Sequence, residues 1–326
     1  MTIRWGIAGL GNIARRFAAD LVNETEDSEL VAVASRSLSN AQQFAKQFEV
    51  ATAYGDYQSL ADDERVDVVY VATIHPAHFE LAALFLQSGK HVLVEKPAVL
   101  SRQDWLTLCQ LADENDVQVI EAMKSVAYPA YRDLKMFLIE KEIQIDNFEA
   151  AFGGKQPFDT NDRLFDPQFA GGATWDVGVY PIWMYCDLCR TLKINVPTPS
   201  LNVVQDYPQS RVDDYATFHF NGDIEGYVAG AISRDLPRYA KLKGPDIEII
   251  IQEKWWNPTQ IDVRYKGALI QFHTSMRGGG FVYEIEHMNE RVMTNTPSNW
   301  IPRETSEQVI MIMESALRDY YAKTLG

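Results

Sequence analysis

The first 121 residues alternate short, near-continuous apolar runs with amphipathic stretches. Ile3–Ala8 reads as a buried strand and residues 12–23 as a helix. Residues 30–34 form a second strand, followed by a helix over 39–48. The run Val66-Asp67-Val68-Val69-Tyr70-Val71-Ala72-Thr73 predicts another strand, residues 76–87 a helix, and His91-Val92-Leu93-Val94 the next strand. Ser101-Arg102-Gln103-Asp104 has the form of a capping box opening a helix to about Asn115. Val117-Gln118-Val119-Ile120-Glu121 closes the series. Val/Ile/Leu strands separated by helices are the pattern of a parallel sheet covered on both faces.

After Glu121 the texture changes. The pattern predicts a helix over 131–141 and another inside 171–192. From about 201 to 273 it becomes strand-like, and Asn221-Gly222-Asp223 between two alternating runs is a hairpin signal. Helices return at 281–293 and at 309–321, the latter preceded by a Thr305-Ser306-Glu307-Gln308 capping box. The expectation is therefore an α/β chain. Residues 1–121 form a doubly wound parallel-sheet domain, and residues 122–326 an α+β domain with a large, mostly antiparallel sheet.

The formal net charge of -15 changes the picture by exclusion. Nucleic acid binding needs clustered Lys and Arg to displace counterions, and no such stripe occurs. An anionic membrane surface is disfavoured for the same reason, and no apolar run reaches ~18 residues. Only three cysteines occur, Cys109, Cys186 and Cys189. That count argues against a disulfide framework and makes the cytoplasm the default. The Cys186/Cys189 pair lies in an apolar helical stretch and reads as core. His219, His273 and His287 are scattered without ligand spacing, so no metal is expected.

Gly9-Leu10-Gly11-Asn12-Ile13-Ala14 follows the first strand and opens the first helix. Gly9, Gly11 and Ala14 fill the G-x-G-x-x-G/A fingerprint: a tight turn, a close backbone approach to a pyrophosphate, and close helix–strand packing. Amides at the helix start, Asn12 and Ile13 among them, then face phosphates. The second strand ends in Ser35-Arg36-Ser37, without the acid that usually accepts the ribose hydroxyls of NAD. Arg36 suits a 2′-phosphate, with the serines donating hydrogen bonds. NADP(H) is therefore the preferred cofactor and NAD(H) the alternative; a solvated surface arginine is the plainer reading of Arg36.

Glu95-Lys96-Pro97 ends the strand beginning at His91, and carboxyl ends of parallel strands face the ligand crevice. Farther on, Asp176 and Tyr180 lie four apart, on one face if the stretch is helical. Hydride transfer to a carbonyl needs a proton donor at the developing alkoxide. A phenol beside an ammonium has its anion stabilised, so Tyr180 near Lys96 meets that need. Taken singly, Lys96 also reads as a strand-end surface residue, Asp176 as a helix cap, and Tyr180 as a core aromatic.

In this order, the glycine fingerprint, Thr73-Ile74-His75-Pro76-Ala77-His78, Glu95-Lys96-Pro97, Gly171-Gly172 through Asp176-x-Gly178-x-Tyr180, and Gly280-Phe281-Val282-Tyr283-Glu284 resemble the Gfo/Idh/MocA oxidoreductases (glucose–fructose oxidoreductase, inositol dehydrogenase, rhizopine catabolism). The resemblance covers nearly the whole chain. It implies a Rossmann domain over 1–121 and, over 122–326, an open-faced sheet that binds substrate and supports a homodimer or larger homo-oligomer. It also implies that Lys96 and Asp176 act at the reacting carbon and that Thr73, Glu95 and Lys96 border the cofactor, with His75 and His78 either lining the same cleft or capping a helix. Tyr180, where many members carry His, is similar to the branch of dimeric dihydrodiol dehydrogenase and NADP-dependent xylose dehydrogenase. Lys124 and Val126 depart from the family pattern in a segment that lines the substrate cleft in relatives.

The reading is an NADP(H)-dependent oxidoreductase acting on a small-molecule sugar, polyol or dihydrodiol, with Tyr180 as acid/base assisted by Lys96 and Asp176. An NADP(H)-sensing regulator without turnover and an NAD-linked inositol-type dehydrogenase remain as alternatives.

Overall fold

A computed structural model describes residues 2–325. The chain divides into two compact units. The first comprises the chain up to Ala127 together with Met276–Arg303, the second Tyr128–Ser275 together with the chain from Glu304 onward.

In the first unit, β1 (Ile3–Ala8), α1 (Asn12–Glu24), β2 (Ser28–Ala34), α2 (Leu38–Gln47), β3 (Thr52–Tyr54), α3 (Tyr57–Ala61), β4 (Val68–Val71), α4 (His78–Gln87), β5 (His91–Glu95), α5 (Arg102–Glu114) and β6 (Val119–Ala122) follow in turn. The strands form one sheet in the order β3-β2-β1-β4-β5-β6, all parallel. That order reverses between β1 and β4, and a doubly wound sheet holds its ligand at such a reversal. The central strands are buried on both faces, Trp5, Ile7, Val69, Leu93 and Val94 among them, which is why they read as unbroken apolar runs. The Ser101 hydroxyl accepts from Asp104 N at 3.1 Å, so the expected cap of α5 forms. The short β3 and α3 were not legible: β3 is only three residues long and none of its residues is fully buried.

The second unit holds α6 (Pro129–Glu140), β7 (Asn147–Gly153), α7 (Val179–Thr191), β8 (Ser200–Val204), β9 (Tyr215–Phe220), β10 (Glu225–Ala231), β11 (Ala240–Gly244), β12 (Ile247–Ile251), β13 (Gln260–Tyr265) and β14 (Ala268–His273). Their sheet runs β14-β13-β12-β11-β7-β10-β9-β8. Every pair is antiparallel except β7 with β10. The hairpin expected at Asn221–Asp223 joins β9 and β10, with Phe220 opposite Gly226. Along β9, Ala216, Phe218 and Phe220 are buried while Tyr215, Thr217 and His219 alternate outward. Period-2 alternation of this kind marks a sheet with one packed face and one open face. Cys186 and Cys189 are buried on α7, and burial pushes both thiols up, Cys189 to about 11.

Two segments differ from expectation. Helix α8 (Val282–Thr294) lies in the first unit rather than with the C-terminal domain. Its Asn289 accepts from Trp5 Nε1 at 3.0 Å, and buried Asp20 of α1 accepts from the amides of Gly279 and Phe281 just before it. The last helix, α9 (Arg303–Leu325), starts directly after Pro302. Thr305 and Ser306 are therefore helical and buried rather than capping. Among the described residues, no helix is long and apolar enough to cross a membrane.

Candidate active site

The glycine turn is set by the local backbone. Gly9 adopts φ 89°, and a Cβ there would stand 2.6 Å from Thr73 Cγ2 and 2.7 Å from Ala72 O. Only glycine combines that conformation with that approach. Gly11 caps α1, and a Cβ built on it would meet nothing within 4 Å, so the turn leaves open space in front of the first amides of the helix. Asn12 is exposed and Ile13 half-buried at that helix start. The hydroxyl of Thr73, just beyond β4, is buried with no hydrogen-bond partner among the described residues. A glycine cradle, a free helix start and an orphaned hydroxyl at the carboxyl edge of the sheet fit a dinucleotide.

Ser35 and Arg36 leave the end of β2 beside this turn. Arg36 is exposed and makes no salt bridge among the described residues. The Ser35 hydroxyl accepts from Ser37 N at 3.3 Å. Ser37 itself caps α2, its oxygen accepting from Asn40 N at 3.4 Å.

Lys96 is half-buried where β5 ends, in a cis Lys96–Pro97 step. Glu95 and His78, both expected beside the cofactor, make hydrogen bonds around this step. Glu95 is buried and accepts from the Tyr70 hydroxyl and from Lys96 N. Burial raises its pKa, and the Lys96 charge opposes that rise. His78, fully buried at the start of α4, sets Nδ1 2.9 Å from Pro97 O and Nε2 3.2 Å from Thr73 O. His75 packs edge-on against it, ring centroids 5.8 Å apart. Thr73, His75, His78, Glu95 and Lys96 thus gather at the ends of β4 and β5.

In the second unit, Asp176 sits in a single π-helical turn, Thr174–Gly178, that runs directly into α7 and Tyr180. Single π-helical turns of this kind are frequent at functional sites. Asp176 lines a cavity of about 920 Å³ with Phe152, Gln156, Arg163, Arg238 and Trp256. Phe152 and Trp256 stack at 3.8 Å and 8°, and the half-buried Tyr180 ring meets Phe152 at 5.2 Å. The structure therefore sets Asp176 in an aromatic-walled cavity, with Tyr180 packed against one of its walls. The wall residues were not found in the sequence because they come from β7 and the turn after β12, far apart in the chain.

Lys124 points into the first unit. It donates to Gly279 O at 3.1 Å, and its ammonium lies 4.3 Å from the centre of the Phe281 ring. Burial pulls its pKa down while nearby Glu284 opposes the change. Both carboxylate oxygens of Glu284 are buried without a hydrogen bond, and burial pushes its pKa well up.

Comparison with known proteins agrees with this arrangement. A model of the Gfo/Idh/MocA oxidoreductase family, with an NAD-binding Rossmann fold, matches residues 3–123. The trans-1,2-dihydrobenzene-1,2-diol dehydrogenase of Xenopus tropicalis is 30% identical over 329 residues, covering 98% of each chain. The protein of that name from Mus musculus is 31% identical over 330 residues, covering 97% of this chain and 96% of its own. Among solved structures, a levoglucosan dehydrogenase in complex with NADH and levoglucosan superposes with a TM-score of 0.85 at 17% identity, covering 99% of this chain and 98% of that one. A 3-ketoreductase from Actinomadura kijaniata with NADP and TDP-benzene gives 0.82 at 22%, covering 98% of both. These two likenesses establish the shared fold. The chain belongs to the Gfo/Idh/MocA family of oxidoreductases, with an NAD(P)-binding Rossmann fold as its first unit.

Proposed function

We propose that this protein is an NADP(H)-dependent dehydrogenase acting on a carbinol or carbonyl carbon of a sugar, polyol or dihydrodiol. The observation that carries the reading is Asp176 lining a cavity walled by Phe152 and Trp256, with the Tyr180 ring packed against Phe152. Stacked aromatic rings beside carboxylates and arginines suit a ring that is apolar on its faces and rich in hydroxyls at its edge. The NADP preference rests on Arg36 at the end of β2, where no carboxylate stands. Relatives named for a dihydrodiol substrate and a neighbour solved with NADP support the same choice.

When bound, the cofactor supplies the hydride acceptor or donor. Tyr180 holds the proton of the substrate oxygen, taking it in oxidation and returning it in reduction. Lys96 supplies the positive charge that assists this proton transfer, and Asp176 accepts a substrate hydroxyl to orient the ring. His78 and Glu95 support the Lys96 turn from inside. The open sheet face receives a second copy of the chain, and three cysteines, none in a disulfide among the described residues, suit a reducing, cytoplasmic compartment.

The test is NADPH oxidation, followed by absorbance, against a panel of aldoses, cyclitols, dihydrodiols and dicarbonyls. On the substrate so found, Tyr180→Phe and Lys96→Ala each lower turnover by about 100-fold or more while NADPH binding persists. Full activity in both variants rejects the mechanism. NADPH binding without turnover on any compound favours a sensor.

A further inference from the structure

The turn that carries Asp176 does not secure its own start. An N-terminal helical turn leaves amides without intrahelical partners, and a nearby side chain usually accepts from one of them. Here the cap position is Ala173, whose side chain makes no such bond. Thr174 instead donates both its backbone N–H and its hydroxyl to Asp213 Oδ2, at 2.7 and 2.6 Å, across 39 residues of sequence. Ala173 N donates to the main-chain oxygen of Asp213 at 2.7 Å. Three donors at the head of the turn thus converge on one residue of the segment leading into β9.

The approach is close. Gly172 has φ 105°, and a Cβ there would collide with Asp213 Oδ1. Asp213 is fully buried. Burial pushes its carboxyl up to about 6, with Asp214 adding to the rise and the Thr174 hydrogen bonds opposing it. From α9, Tyr321 also meets Asp213, and its phenol is raised chiefly by burial and then by that carboxylate. A fully buried carboxylate is a costly way to fix one turn, so a site that needs the turn fixed gives it a reason.

We propose that Asp213 is the positioning residue of the active site: by accepting from Thr174 and Ala173 it fixes the π-helical turn, and so the direction in which Asp176 enters the cavity and the helix carrying Tyr180 leaves the turn. This rests on the reading of Asp176 and Tyr180 as substrate-facing and deepens it. Asp213 touches no substrate. Its removal should lower kcat more than it changes cofactor affinity, and an isosteric acceptor should restore function.

The experiment uses the full-length protein with NADPH and the substrate identified by the panel. It compares Asp213→Ala, Asp213→Asn, Thr174→Val and Tyr180→Phe for kcat, KM, NADPH dissociation constant and Tm. Asp213→Ala is expected to lose at least about tenfold in kcat with the NADPH constant within about twofold. Asp213→Asn, whose amide oxygen accepts from the same two donors, stays within about threefold of wild type. Thr174→Val, which loses one donor, falls between them in kcat, with a Tm lowered by the lost hydrogen bond. Wild-type kcat in Asp213→Ala or in Thr174→Val, or an Asp213→Asn as impaired as Asp213→Ala, overturns the proposal. If Asp213→Ala does not fold, Thr174→Val and Asp213→Asn decide by the same criteria. An active Tyr180→Phe sinks the underlying reading and this one with it. An inactive Tyr180→Phe beside an active Asp213→Ala sinks the positioning role alone.

Discussion

The imidazole of His78 places Nδ1 2.9 Å from the carbonyl oxygen of Pro97, while Nε2 lies 3.2 Å from that of Thr73. One buried ring thereby ties the end of β4 to the turn after β5 that presents Lys96. A neutral imidazole donates from only one nitrogen, and burial, with Lys96 nearby, lowers the pKa of this ring. The tie therefore rests on one strong hydrogen bond and on packing.

His78→Ala removes that bond and opens a cavity, which together cost about 2–4 kcal/mol. Thermal denaturation should show a Tm lower by roughly 5–10 °C, and turnover should fall with it as the Lys96 turn loosens. A variant with wild-type Tm and wild-type rate contradicts this role.

On the proposed reading, Arg36 selects NADP(H) by pairing with a 2′-phosphate. A charge-assisted hydrogen bond to phosphate contributes about 1.5–3 kcal/mol, equivalent to roughly 10- to 100-fold in affinity. Arg36→Ala should weaken NADPH by that factor and leave NADH unchanged, as read by quenching of protein fluorescence. Equal losses for both nucleotides, or none, remove the case for NADP.

Asp213 makes stability depend on pH. Its folded carboxyl keeps a proton up to about 6, above the 3.8 of the free side chain. Between those values the folded state binds more protons than the unfolded one, so the contribution to stability falls as pH rises through the window and stays lost above it. The full effect is roughly 3 kcal/mol. Asp213→Asn abolishes it, so its Tm advantage over wild type should widen from about pH 4 to about pH 7. A difference independent of pH would show that Asp213 is not the titrating group.

On the open face of the larger sheet, Tyr227 is 50% exposed, stacked 4.2 Å from His219 and opposite Glu149 on β7. Tyr215, Thr217 and Tyr239 extend the same shallow surface. If a second copy covers it, light scattering finds a dimer for the wild type and a monomer for Tyr227→Lys. A wild-type monomer at micromolar concentration removes this interface.

Local physics made much of the molecule readable from its residues in order. Unbroken apolar runs between amphipathic stretches announced β1, β2, β4 and β5, because strands buried on both faces tolerate little else. The tight turn at Gly9, the cap at Ser101 and the hairpin after Phe220 each depend on a few adjacent residues. The order of the sheet, the return of α8 to the first unit, the Phe152–Trp256 wall and the clasp of Asp213 on Thr174 depend on contacts between residues distant in sequence. Thr305 was misread for the same reason: its hydroxyl looks like a cap until burial withdraws it. Periodicity and turn chemistry act within a few residues and so are written in the sequence itself. Which buried carboxylate meets which helix start is settled only when the whole core closes around both.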